Sequence, residues 1–83
     1  MAFGALGDPI RLQIVGILEG GLHCVCELRE QIDVAPNLLS YHLKVLREAG
    51  LVEATRRGRW VDYQLANAAL QALALAIPSE DGR

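Results

Sequence analysis

Asp33-Val34-Ala35-Pro36-Asn37-Leu38-Leu39-Ser40-Tyr41-His42-Leu43-Lys44-Val45-Leu46-Arg47-Glu48-Ala49-Gly50 is the stretch that decides the fold. Asp33 to Ala35 form a tight turn. Pro36 opens a helix at the position where its missing N–H costs nothing, and Ala49-Gly50 closes it with glycine just past the end. On a wheel stepped at about 100° per residue, Leu38, Leu39, Leu43, Val45, Leu46 and Ala49 share one arc. Asn37, Ser40, Tyr41, Lys44, Arg47 and Glu48 fall opposite them. The first arc needs a core. The second offers an amide, a hydroxyl, an aromatic ring and two cations, the groups that read base edges and neutralise phosphates in a DNA groove. His42 falls in the apolar arc and reads as a core histidine hydrogen-bonded to backbone rather than as a ligand.

Working upstream, a short helix from about Cys24 to Ile32 carries Val25, Leu28 and Ile32 on its inner face. Two helices across about three turn residues have helix-turn-helix spacing. Before them, Asp8 caps a helix with Pro9 in its first position. Ile10, Ile14, Ile17 and Leu18 follow at helical spacing, and Gly20-Gly21 stops the run. Met1 to Gly7 has room for one extra helical turn.

Downstream of Gly50 the period changes to two. Leu51 to Arg56 and Arg59 to Leu65 read as strands, with Arg57-Gly58 as the hairpin turn between them. Arg56, Arg57 and Arg59 crowd this tip, which suits phosphate contact or insertion into a narrow minor groove. Trp60 and Tyr63 read as packing residues that anchor the hairpin. Asn67 caps a last helix that runs to Ile77 and ends at Pro78. Leu70, Leu73, Leu75 and Ile77 alternate there with alanines, and a helix apolar all round must be buried all round. A terminal helix cannot be surrounded by so short a chain, so about 67–77 is predicted to be a dimerisation helix. The fold class that results is mainly α with a small β-hairpin: a homodimeric winged helix-turn-helix, with residues 1–83 as one domain.

Composition agrees with that size. The chain has 83 residues, 52% of them hydrophobic and 5% aromatic. A domain this small buries only about 60% of its unfolded surface, and oligomerisation is a ready remedy. The formal net charge of −2 gives no global attraction to nucleic acid. Net charge governs solubility and steering, however, and the cations here are clustered. Neither a secretory signal nor a run of about 18 apolar residues is present, which predicts a cytoplasmic chain with no membrane partner.

In that compartment, Cys24-Val25-Cys26 is expected to be reactive or metal-binding rather than a structural disulfide. If the first turn there is helical, residues i and i+2 sit about 200° apart and cannot share an ion. Binding would then require the turn to rebuild, which is itself a switch. A helix N-terminus also favours the thiolate.

Leu6-Gly7-Asp8-Pro9-Ile10-Arg11-Leu12, Cys24-Val25-Cys26-Glu27-Leu28, and the run from Ser40 through Ala49-Gly50-Leu51-Val52 together resemble the ArsR/SmtB family of bacterial metal-responsive repressors. The resemblance covers about Ala5 to Ala76. It implies a homodimer of winged domains that occupies double-stranded operator DNA until an inducer binds. The Cys-Val-Cys-Glu-Leu segment is similar to the arsenite-sensing and the cadmium/lead-sensing branches. By that resemblance, Cys24 and Cys26 are the inducer ligands and As(III) or Sb(III) the first candidate inducers, with Cd and Pb behind them. Soft thiolates suit such ions. The arsenite branch often has a third cysteine where this chain has Arg29. His23, Glu27, water or a small thiol are the alternatives for the third ligand. The cadmium branch adds N-terminal cysteines, which this chain lacks, and a zinc-type site needs His and carboxylate pairs that Asn67 to Ile77 does not contain.

Two other readings stay open. The cysteines can sense redox state, because a ring closed over one intervening residue is strained and labile. The domain can also be a protein-interaction module without a DNA role, against which the arginine tip argues. No acid, base or nucleophile pair converges to suggest an enzyme, and nothing calls for an organic cofactor.

Overall fold

A computed structural model describes the backbone of residues 2–76 and the side chains of residues 4–71. A 3-10 helix, Ala2–Gly7, comes first and is tied down by Arg11, whose Nε donates to the Ala5 carbonyl at 2.6 Å. Asp8 is extended and its Oδ1 accepts the Ile10 N–H at 2.7 Å, so α1, Pro9–Leu18, starts where the cap and the proline set it. Gly20 and Gly21 return their N–H groups to the carbonyls of Ile17 and Leu18, and Gly21 turns away at φ 124.

The next element departs from the sequence reading. His23–Cys24 is a short strand, β1, and the helix α2 covers Val25–Gln31. Cys24 is therefore not helical: it is the extended residue before α2, at φ −79 and ψ 162. Two residues are too few to show a period, so the strand was invisible in the pattern. Ile32 to Ala35 connect α2 to α3, Pro36–Glu48, through a γ-turn in which the Val34 N–H donates to the Ile32 carbonyl at 3.0 Å. The end of α3 is a Schellman motif. The Gly50 N–H reaches the Arg47 carbonyl and the Leu51 N–H the Leu46 carbonyl, each at 3.0 Å, with Gly50 at φ 79.

The wing consists of β2, Val52–Arg57, and β3, Trp60–Leu65, each starting one residue later than the pattern suggested. Arg57 pairs with Trp60, so the turn is Gly58-Arg59 rather than Arg57-Gly58. A two-residue hairpin turn needs positive φ at its first position, and Gly58 supplies it at φ 63. The hairpin gains β1 as a third antiparallel strand, in the order β1-β3-β2. Cys24 is paired with Asp62 across one side of β3 and Thr55 with Asp62 across the other.

Ile14 from α1, Leu28 from α2, Ile32, Leu39, Leu43 and Leu46 from α3, and Val52 from β2 are fully buried and form the centre. Each such side chain contributes about 1.5–3 kcal/mol through the water it sheds. Leu38 does not join them. It is 48% exposed, because it lies about 100° from Leu39, at the edge of the apolar arc rather than within it. The last helix, α4, covers Asn67–Ala76. Asn67 is its first helical residue, not its cap: the Ala66 carbonyl already accepts the Leu70 N–H at 2.9 Å. Ala69 faces the core, whereas Leu70 is 44% exposed. The side chains of Leu73 and Leu75, and all of Ile77 and Pro78, lie outside the described residues. Among the described residues no helix is long and apolar enough to cross a membrane.

Candidate nucleic-acid interface and thiol site

The outer face of α3 is laid out as its wheel requires. Asn37, Ser40, Tyr41, Lys44, Arg47 and Glu48 are all exposed, and the opposite face supplies Leu39, Leu43 and Leu46 to the core. Tyr41 is anchored while remaining accessible, its ring meeting that of His42 edge-on at a centroid distance of 5.3 Å.

His42 is buried at 8% exposure, in agreement with its place on the apolar arc. Its partners are side chains, not the backbone groups expected from the sequence. Arg11 Nη1 donates to Nδ1 at 3.1 Å, and Nε2 lies 4.0 Å from the Asp8 carboxylate. The arginine of α1 is therefore a strut: Nε holds the N-terminal turn and Nη1 holds α3 through His42. Asp8 caps α1 and faces His42 as well. Burial at this junction raises its carboxyl pKa, but the backbone N–H groups of Ile10 and Arg11, with the electrostatic influence of His42 and Arg11, together hold it below its ordinary value.

At the wing the three arginines separate into two kinds. Arg56 and Arg59 are exposed and make no ion pair with any described residue. Arg57 is engaged. Its Nε donates to Asp62 Oδ2 at 2.8 Å and its Nη2 to Oδ1 at 3.2 Å, a two-point contact on a carboxylate only 5% exposed. The geometry follows from register, since Arg57 lies two residues along from Thr55 and so diagonally across from Asp62 on one face. These hydrogen bonds lower the Asp62 pKa more than burial raises it, and they raise that of Arg57. Sequence reasoning missed this pair. An aspartate between Val61 and Tyr63 in a strand was the available signal, because that residue type is unfavourable there without a partner. Trp60 is also corrected. It is 47% exposed and does not anchor the wing, whereas Tyr63 is partly buried against the core.

The thiols lie at the junction of β1 and α2. Because Cys24 is extended and Cys26 is in the first turn, their Cα atoms are 5.4 Å apart and the two sulfurs are joined as a disulfide. The expected conflict between shared ligation and helical geometry therefore does not arise. The structure does not bring His23 or Glu27 to the sulfurs as a third ligand. His23 Nδ1 is bonded to the Gly21 carbonyl at 2.9 Å, and Glu27 Oε1 accepts the Cys24 N–H at 2.9 Å. Among the described residues, no three His, Cys, Asp or Glu side chains form a group able to hold a metal ion.

Comparison with known proteins agrees with this geometry. Residues 8–54 match the pattern described as "Bacterial regulatory protein, arsR family". The chain is 42% identical over 64 residues to the arsenical resistance operon repressor of Bacillus subtilis, covering 76% of this chain and 61% of that protein. It is 44% identical over 63 residues to the HTH-type transcriptional repressor SmtB of Mycobacterium tuberculosis, covering 76% of this chain and 47% of the relative. It thus spans about half to two thirds of the length of these two proteins. The homodimeric winged helix-turn-helix DNA-binding domain from Mycobacterium bovis, solved in solution, superimposes with a TM-score of 0.81 at 31% identity, over 89% of this chain and 69% of that one. The fold is that of DNA-binding transcriptional regulators rather than of an enzyme, and the chain belongs to the arsR family of bacterial regulatory proteins.

Proposed function

We propose that this chain is a homodimeric repressor that binds operator DNA and releases it when arsenite or antimonite joins Cys24 and Cys26. The adjacency of the two sulfurs carries the inducer assignment. A trivalent metalloid exchanges two hydroxyls for the two thiols and releases two waters. With no third protein ligand beside the sulfurs among the described residues, its remaining position is left to solvent or a small thiol. The name of the Bacillus relative, an arsenical resistance operon repressor, favours the same ion class. Asn37, Ser40 and Tyr41 are assigned to base edges and sugars, and Lys44, Arg47, Arg56 and Arg59 to phosphates, with Arg57 conditional on its partner. The exposed Leu70 of α4 supports dimerisation through that helix.

The test is a titration at one fixed salt concentration, on a duplex that the reduced protein has itself selected from a random pool. Arsenite, cadmium, zinc and peroxide are added in separate arms. Arsenite is expected to weaken binding 5- to 150-fold, the usual range for a coupling of about 1–3 kcal/mol. Cys24→Ser and Cys26→Ser are each expected to bind DNA and ignore arsenite. Release of DNA by arsenite from the double serine variant would reject the assignment. A second reading, a thiol redox sensor, is favoured by the joined sulfurs of this structure. It requires peroxide, not arsenite, to be the arm that releases DNA.

A further inference from the structure

The thiol pair and the wing meet at one residue. Asp62 lies on the central strand, directly across from Cys24 on β1 and diagonally across from Arg57 on β2. Residues opposed in a ladder share a face, so Cys24, Asp62 and Arg57 lie on the same side of the sheet. Glu27 closes the circuit. It accepts the Cys24 N–H, and its charge adds to the field that holds Arg57 in its cationic form. Arg57 is therefore held by Asp62, which is the strand partner of Cys24.

The strength of the Asp62–Arg57 contact depends on burial. A carboxylate taken out of water must find a charged or hydrogen-bonding partner. Asp62 is buried although it sits in a hairpin whose outer positions Glu53, Thr55 and Gln64 are exposed. It pairs with Cys24 of β1, and the strand that carries it packs against α2. A two-residue strand is a weak edge, and the Cys24–Cys26 link fastens it to the first turn of α2. In this structure, with the link in place, Asp62 is covered and holds Arg57. A link that opened would leave β1 free to lift, admit water to Asp62 and release Arg57 for a phosphate.

Resting on the reading of Cys24 and Cys26 as the sensing pair, we propose that Asp62 is the positioning residue through which the state of that pair reaches the DNA-binding wing. Joined sulfurs withdraw Arg57 from DNA, and free thiols return it. The chemistry in the test balances. A small dithiol gives two electrons and two protons to the sulfurs, which become two thiols, while the reductant closes its own disulfide.

The experiment uses a mixed-sequence duplex of about 30 base pairs, long enough for two half-sites one helical turn apart. Phosphate contacts are independent of sequence, and each adds about 0.9 to the steepness of log affinity against log salt. For each protein the slope is measured in the disulfide form and after reduction by dithiothreitol. In the parent chain the slope is expected to be steeper after reduction by about 0.9 for each subunit bound. Asp62→Asn is expected to give the steep slope in both forms. Arg57→Gln, which can still donate to Asp62 and so spares the fold, is expected to give the shallow slope in both. Glu53→Gln, the same charge change elsewhere on this face, should keep the difference. If Asp62→Asn and Arg57→Gln each retain the parent's difference between forms, the proposal is overturned while the sensing reading stands. If the parent shows no difference in affinity or slope between forms, and arsenite has no effect on the reduced protein, both fail together.

Discussion

Among single residues, the arginines of the wing differ most sharply in what they can do. Among the described residues Arg56 and Arg59 make no ion pair that would compete with a phosphate, whereas Arg57 has a carboxylate at 2.8 Å. Replacing both Arg56 and Arg59 by Ala is expected to weaken binding to all sequences alike and to flatten the salt slope by about 0.9 for each lost contact. Ser40→Ala or Asn37→Ala should leave the slope alone and change which sequence is preferred, by about 1–3 kcal/mol at the affected base pair. Competition assays over a set of single-base variants would separate the two classes. Acid provides another test at this scale. Arg57 hydrogen bonds hold the Asp62 carboxyl below its ordinary range, and Asp8 is lowered against burial by its backbone and charged neighbours. A carboxyl whose pKa is lower in the folded chain stabilises the fold above its unfolded value of about 3.9. That contribution disappears as pH falls through the folded value. Urea midpoints are therefore expected to drop between pH 5 and pH 3, and to drop less in Asp62→Asn. An equal drop in parent and variant would show that the ion pair is not linked to folding.

At the scale of elements, α3 is held at both ends by features that have nothing to do with its exposed polar face. Pro36 and the extended Ala35 start it, and the Schellman motif at Gly50 ends it and aims the chain into β2. A Cβ at Gly50 would meet nothing within 4 Å, so the cost of replacing it lies in the backbone alone. At φ 79 a residue with a side chain loses about 1–2 kcal/mol. Gly50→Ala should lower the urea midpoint accordingly with an unchanged m value. A change in m, or no change in the midpoint, would mean that the turn re-forms differently. The middle of α3 is fixed by His42, which Arg11 links to the N-terminal 3-10 helix.

For the whole molecule, the question is what covers α4. Ala69 is buried against the core while Leu70 remains exposed beside it, and Leu12 is exposed on α1. Our reading gives these surfaces to a second copy of the chain. Leu70→Glu is expected to shift sedimentation from dimer to monomer and to reduce DNA affinity at least tenfold, since two half-sites about 34–36 Å apart can no longer be held together. A dimer of unchanged affinity would remove α4 from the interface. The cysteine pair belongs to this scale too. On the proposal made above, a local change in sulfur chemistry reaches the wing through Asp62.

The sequence by itself determined the elements that have enough residues to show a period or a stop. Asp8-Pro9, Pro36 and Ala49-Gly50 marked helix ends because caps, prolines and glycines act locally. The wheel of α3 separated the core face from the outer face because one helix turn already carries the contrast; it failed at Leu38, where the arc ends, and at His42 it gave the burial but not the side-chain partners, Arg11 and Asp8. The change to period two announced the wing, and glycine at position 58 was enough to imply a turn, though not its register. Only the tertiary structure decided what depended on partners distant in sequence. His23–Cys24 becomes a strand because β3 has a free edge for it, and that extended Cys24 brings two sulfurs together that a helix would have kept apart. Asp62 becomes buried because β1 and α2 are folded beside it, and once buried it must take Arg57, which the sequence had assigned to DNA. Local rules determine backbone conformation from nearby residues, but a charge acquires its partner only when folding has removed the water.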